Sequence, residues 1–489
     1  MLITLSARNN FFVLFITVVA SILLSGLSLY AGPLWGILAF ALIALAILSL
    51  MKIQALFYLL FLWLSAAGFI LNYFPLGEYA IATYVDEILV FLLLIFLSFK
   101  FASREVSGES SIFVIGISLF IIFLSISTLI NKSPAIGLLN FVSTYLKFFI
   151  IFLCAVNLLG DDDLKRMITF AVFTVLIQSA AAALQYITFG KTNILVGSEI
   201  TNIKDAACGL FGRYGAHLLG HFSVITLIIS SSLWLFTGEK RWIFYSVISL
   251  VAFILSFTES DYIFIIFYIL MLGSEFLSLR LKGKHERQFR FIGYSMLLFL
   301  ILLSVYSALN LHLETAQRYK KYLTSASAIK GMGKMQALKA MTSIILEEPQ
   351  HVIIGVGPGN FTGGVAQKVE GAYYKKYVGF RVRSIFSVAD YWWSTFITLL
   401  SETGVLGYLV YASMFVIIYL KGLRLKGLVD PGAKPFDKAC AFSLISVMIF
   451  LLFLSFMSNL LEATVLMFLP SILSAYVWKR YHILRRARL

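Results

Sequence analysis

The sequence predicts an all-α polytopic membrane protein, and three observations carry that prediction. Of its 489 residues, 60% are hydrophobic and 13% charged, against about 45–50% apolar and about 25% charged residues in soluble domains. Apolar runs of the about 17–25 residues needed to cross about 30 Å of hydrocarbon as helix recur along the chain. Lysine and arginine gather in alternate connections between those runs. With 8 prolines and 33 glycines the chain is neither low-complexity nor collagen-like, and 3 cysteines make neither a disulfide framework nor a metal cluster. Cys154 and Cys440 fall in apolar runs and read as packing residues.

Fourteen candidate spans follow in order: 11–30, 33–51, 54–73, 83–100, 111–130, 135–158, 167–189, 217–237, 242–257, 262–279, 291–310, 403–420, 439–458 and 461–478. The first is longer than a signal-peptide core and reads as an uncleaved helix. With the N-terminus inside and sides alternating, the inner segments hold Arg8, Lys52, Lys100, Arg104, Lys165, Arg166, Lys240, Arg241, the 280–290 cluster, the 421–438 cluster, Lys479 and the C-terminal arginines. The outer connections other than the long one hold only Lys132, Lys191, Lys204 and Arg213. The positive-inside rule therefore expects both termini in the cytoplasm. Much of the net charge of +15 is then topology and attraction to anionic membrane lipid, not a nucleic-acid footprint. No internal repeat is visible, and no paired broken helices of the kind on which transporters build their sites.

The organisation expected is an N-terminal bundle over 1–310 with an outer loop at 191–216, a large outer loop over 311–402, and C-terminal helices over 403–489. The interval 311–390 is the only long one without a membrane-length apolar run. LETAQRYKKYL and MGKMQALKAMTSIILEE read as amphipathic helices along the membrane surface, the second ended by Pro349. HVIIGVGPGNF is a short apolar run entering a Gly/Pro/Asn turn, with Gly355, Gly357 and Gly359 allowing positive φ and close backbone approach. Residues 394–400 read as a short half-buried helix ahead of the 403–420 span.

The interval 311–390 holds eleven Lys/Arg against five Asp/Glu, a net +6 that the positive-inside rule does not explain in a long loop. Arg381 and Arg383 flank one residue near the re-entry into the membrane, and Arg213 ends the other polar loop on the same side. Arginine's planar fork suits phosphate oxygens, so converging arginines point to a lipid-linked phosphate or diphosphate. Arg318 and Lys334 are further candidates to bind it. Lys147 falls inside an apolar run, where a charge faces a partner or a cavity. Asp86 and Glu87, or the loop arginines, are its candidate partners. His217 and His221 stand one helical turn apart, which would suit a metal pair, but no third ligand has suggestive spacing and no metal is expected. Tyr373, Tyr374, Tyr377, Trp392 and Trp393 gather at the re-entry, where they form an interfacial aromatic belt or stack on sugar rings.

GVGPGNF in a large outer loop, TLLSETGVLGYL after it, and an outer GLFGRYGAHLLGH leading into a helix together resemble the bacterial O-antigen polymerase/ligase superfamily. The resemblance in topology covers the whole chain and in motif about 205–221 and 334–408. It implies a metal-independent, GT-C-like membrane glycosyltransferase of the inner membrane that needs no cofactor. Its substrate would be undecaprenyl-diphosphate-linked oligosaccharide, and a chain-length regulator and a flippase would be partners. The family's re-entry pattern of His-Asn, an apolar run and Glu-x-Gly matches at Leu400, Glu402 and Gly404. The histidine position falls on Trp393 and the asparagine position on Ser394, which favours the polymerase branch over the ligase branch. Lys204 or Arg213 stands where relatives have an arginine in the first outer motif, and Lys334 where they have one ahead of the glycine turn. The implied reaction is attack of an acceptor hydroxyl on an anomeric carbon with expulsion of undecaprenyl diphosphate. Arginines would stabilise the growing diphosphate charge, with Glu402, Asp390, His217 or His221 as base. A transporter or lipid flippase is the rival from another class.

Overall fold

The computed structural model describes residues 53–73, 84–103, 108–189, 194–196, 199–201, 207–212, 215–256, 261–280, 334–376, 394–430, 434–459 and 462–488. The runs expected at 11–30, 33–51 and 291–310 and the segment LETAQRYKKYL lie outside them. The other eleven runs all fall on helix. These are α1 (Ile53–Tyr73), α2 (Val85–Ala102), α3 (Ser111–Ile130), the pair α4 (Ala135–Tyr145) and α5 (Lys147–Leu158), α6 (Asp161–Phe189), α7 (Ala216–Thr237), α8 (Lys240–Ser256) and α9 (Asp261–Arg280). Between 311 and 394 lie α10 (Lys334–Glu347), α11 (Pro349–Ile354) and α12 (Gly363–Val369). The chain closes with α13 (Thr395–Leu428), α14 (Pro435–Met457) and α15 (Thr464–Arg486). One antiparallel ribbon of two three-residue strands, β1 (Ile194–Val196) and β2 (Glu199–Thr201), lies in the 191–216 connection.

Six helices, α1, α3, α6, α7, α13 and α14, are long and apolar enough to cross a membrane, and the bent pair α4–α5 makes a seventh if it counts as one span. The chain is thus an α-helical, membrane-embedded protein. Helix α2 carries Asp86, Glu87 and Lys100 in 18 residues, and α15 ends in Lys479, Arg480, Arg485 and Arg486, so both are too charged to stand with the six. Helices α7 and α14 are central, with 78% and 72% of their spans buried, whereas α3 is 28% buried and turns Ile115, Ile122 and Leu129 outward. Continuous burial from Thr464 to Trp478 makes α15 central too. Aromatic edges lock it in place: Phe113 meets Trp478 at 5.0 Å and Phe152 at 4.7 Å between ring centroids.

Three expectations change here. The run 135–158 is not one helix: it bends by 51° at Leu146. The short helix expected at 394–400 is present over 395–403, largely buried rather than half-buried, and a kink at Gly404, where φ is 67° and ψ −176°, divides it from the rest of α13. Two runs are therefore broken, at Leu146 and Gly404, although the apolar runs hid it, because each break leaves the hydropathy of its run untouched. Pro349 does end α10, and it also opens α11 from the first helical position, where its missing N–H costs nothing.

The end of the bundle that holds the 355–364 turn, here termed the loop end, also carries Asp86, Lys147, Glu402 and Glu462. The opposite end gathers basic residues. Arg480 pairs with Asp437 at 2.7 Å and Asp161 at 3.1 Å, tying α15 to α14 and α6, and Lys426 pairs with buried Glu275 at 2.7 Å.

Candidate functional site

The 355–364 turn folds against α13 around a carboxylate. Val356 N donates to Ser401 O at 2.9 Å and Gly357 N to Glu402 O at 3.2 Å. The Glu402 side chain then accepts from Gly359 N (2.7 Å), Phe361 N (3.1 Å) and Thr362 N (2.9 Å). Successive backbone N–H groups of this kind form an anion nest, and here the chain's own carboxylate fills it. Glycines permit the geometry. Gly355 and Gly404 both have positive φ (73° and 67°), and a Cβ on either would run into the backbone of the other's strand of chain. Asn131 Nδ2 donates to Gly355 O at 3.0 Å and Asn360 Nδ2 to Ser133 Oγ at 2.6 Å, so the end of α3 clamps the turn from the other side. A small apolar cluster of Met341, Ile344, Val356, Phe361 and Ile397 seats α10 and the turn on α13. Ser394 caps α13 by accepting from Ile397 N at 3.2 Å.

Beside this nest lies a second, more accessible carboxylate. Glu462, half-buried in the short connection between α14 and α15, accepts from Gly364 N through both oxygens (3.1 and 3.0 Å) and from the Tyr145 hydroxyl at 2.7 Å. Tyr145 also stands 3.3 Å from Asn459 Oδ1, which is 3.4 Å from Thr395 Oγ1. A chain of polar groups thus runs from Thr395 through Asn459 and Tyr145 to Glu462, at the break between α4 and α5.

Thr395 is also at the rim of an apolar groove of about 490 Å³ between α13 and α14, lined by Phe396, Leu399, Tyr408, Phe415, Met448 and Leu452 among others. That volume is in the range of sites that hold organic ligands. Across the break from Tyr145, buried Lys147 pairs with Asp86 at 2.6 Å and Glu87 at 2.8 Å and donates to Thr464 Oγ1 at 3.2 Å. Of its two candidate sets of partners, α2 supplies the one observed. Lys147 sits at the start of α5, not in mid-helix as the unbroken run implied.

Of the residues singled out in the sequence, Arg213, Arg318, Arg381, Arg383 and Asp390 lie outside the described residues, as do Lys204, Tyr377, Trp392 and Trp393. Lys334 opens α10. Gly355, Gly357 and Gly359 all adopt positive φ, at 73°, 92° and 74°. Glu402 is not at an open membrane boundary: it is 0% exposed, with three N–H donors on its carboxylate. This geometry suits holding the turn better than meeting a substrate hydroxyl. His217 and His221 stand on the first turns of α7 with ring centroids 6.4 Å apart, and His221 is buried against Phe450 rather than facing water. Among the described residues no group of three His, Cys, Asp or Glu is placed to hold a metal ion. Tyr374 is buried, and Tyr373 meets His351 edge-on at 5.8 Å.

Glu462, Asn459 and Tyr145 escaped the sequence reading. Glu462 falls inside the run 461–478, and only the polar interruption SNLLEAT between two apolar stretches marks it. No protein-family model matches the chain, and no curated protein matches it.

Proposed function

We propose that the protein is a membrane glycosyltransferase resembling the O-antigen polymerases, joining undecaprenyl-diphosphate-linked oligosaccharide repeats outside the cytoplasm. The observation that carries this reading is the apolar groove between α13 and α14, whose rim residue Thr395 begins the polar chain to Glu462. A lipid-borne sugar needs this pairing: hydrocarbon among apolar side chains, and a hydroxyl-rich head among carboxylate, amide and phenol groups. Fourteen spans, cytoplasmic termini and a large outer loop in the inner membrane belong to the same reading. The basic residues Lys100, Lys426, Lys479 and Arg480 lie at the end of the bundle opposite the site, which supports that orientation. The loop arginines Arg213, Arg381 and Arg383 supply the diphosphate contacts, with the turn held by Glu402. The ligase branch differs only in its acceptor, lipid A–core in place of a second repeat. A chain-length regulator and a flippase are the partners this activity requires.

A transporter reading has one observation of its own: the break at Leu146 adjoins the ion-paired triad of buried Lys147 with Asp86 and Glu87, an arrangement found where transporters bind substrates. A deletion strain separates these readings. Glycan gels are expected to show single repeats on the lipid carrier. Long chains stranded on the carrier would indicate a ligase, and carrier-linked repeats confined to the cytoplasmic face a flippase.

A further inference from the structure

We infer that Glu462 is the base of the site, taking the proton of the acceptor hydroxyl; this rests on the glycosyltransfer reading and names a residue that reading leaves open. Two carboxylates stand at the loop end next to the glycine turn. Glu402 has no exposed surface and is held by three backbone N–H groups inside the wall. Glu462 is half-buried, and the polar chain through Tyr145 and Asn459 links it to Thr395 in the lining of the groove.

The backbone is shaped to bring Glu462 close. A Cβ on Gly363 would lie 2.6 Å from Glu462 Oε1 and 3.0 Å from Asn459 Nδ2, and one on Gly364 would lie 2.8 Å from Glu462 Oε2. The Gly-Gly pair therefore admits the carboxylate where any side chain would expel it. The Thr362 and Thr398 hydroxyls are buried at 0% exposure and make no hydrogen bond in the structure, and Thr398 Cγ2 is 3.3 Å from the same Gly363 position.

In the step itself, the acceptor hydroxyl oxygen bonds to the anomeric carbon as the bond from that carbon to the diphosphate oxygen breaks. The hydroxyl proton passes to the Glu462 carboxylate, and polyprenyl diphosphate leaves with the bonding electron pair. The Tyr145 hydroxyl and Gly364 N–H orient the carboxylate, so Tyr145 is a positioning residue.

The test uses the full-length protein in nanodiscs with a synthetic polyprenyl-diphosphate-linked oligosaccharide. Glu462→Gln is expected to cut kcat by about 100-fold or more, with KM little changed, and to abolish the acid limb of the pH–rate profile. Wild-type kcat, or an unaltered acid limb, in this variant overturns the assignment. Should the Gln variant melt early, Tyr145→Phe decides. Loss of a donor to the carboxylate disfavours its anion, so the acid limb moves to higher pH; an unmoved limb overturns the assignment. Wild-type protein that binds the lipid-linked probe without extending it sinks the glycosyltransfer reading, a failure separable from that of Glu462 alone.

Discussion

The Tyr411 hydroxyl donates to the Tyr145 carbonyl oxygen at 3.0 Å, and this hydrogen bond ties together two helices that each lose regularity nearby. Tyr145 ends α4 at its 51° bend, and Tyr411 lies two turns beyond the Gly404 irregularity of α13. The bond fixes α13 against the bend of α4–α5, whose Tyr145 side chain belongs to the site. Tyr411→Phe keeps the ring packing against Phe120 and Phe149 and removes only the donor. It should destabilise by about 1–2 kcal/mol, read as a lower melting temperature in detergent with unchanged membrane abundance.

Glu402 should behave as the anchor of the glycine turn. Gln offers one acceptor oxygen to three N–H donors that now share two, and Ala offers none. Both Glu402→Gln and Glu402→Ala should lose activity. Amide hydrogen exchange at Gly359, Phe361 and Thr362 should accelerate in both, more in Ala. Exchange as slow as in wild type in an inactive Gln variant would instead return Glu402 to a direct chemical role.

The approach of Gly355 to Gly404 predicts a sharp contrast among glycines. Gly404→Ala and Gly355→Ala combine positive φ with a backbone clash, so each should cost more than the about 1 kcal/mol of an ordinary strained turn and lower yield of folded protein. Gly427→Ala, with nothing within 4 Å of its Cβ position, should leave yield and melting temperature unchanged.

Lys147 is 7% exposed and bridges α2, α5 and α15. Removing it leaves Asp86 and Glu87 unmatched, so Lys147→Met should destabilise by about 3–5 kcal/mol. Adding Asp86→Asn and Glu87→Gln should recover much of that loss in the melting temperature. Failure of the triple variant to recover would mean that the loss does not come from the unmatched carboxylates.

If the loop arginines hold diphosphate, Arg381→Ala or Arg383→Ala should abolish long glycan chains while leaving protein abundance unchanged. Normal chain-length ladders in both variants would remove the arginines from the site.

The sequence by itself determined the elements. Eleven of the apolar runs lie on helices in the described residues, because the cost of an unpaired peptide group in hydrocarbon makes length and hydropathy nearly sufficient to specify a span. The need for glycine at 355, 357 and 359 was legible as well, since a turn with positive φ announces itself in composition, and all three adopt it. Only the tertiary structure decided which polar residues meet. Tyr145 and Glu462 stand 317 residues apart in the chain, one hidden in the middle of an apolar run and the other at the edge of one. Hydropathy averages over a window, so one tyrosine or glutamate changes it little. Which carboxylate is sealed in the wall and which stays partly exposed depends on the bend at Leu146 and the irregularity at Gly404, and those come from packing between helices rather than from the composition of any one of them.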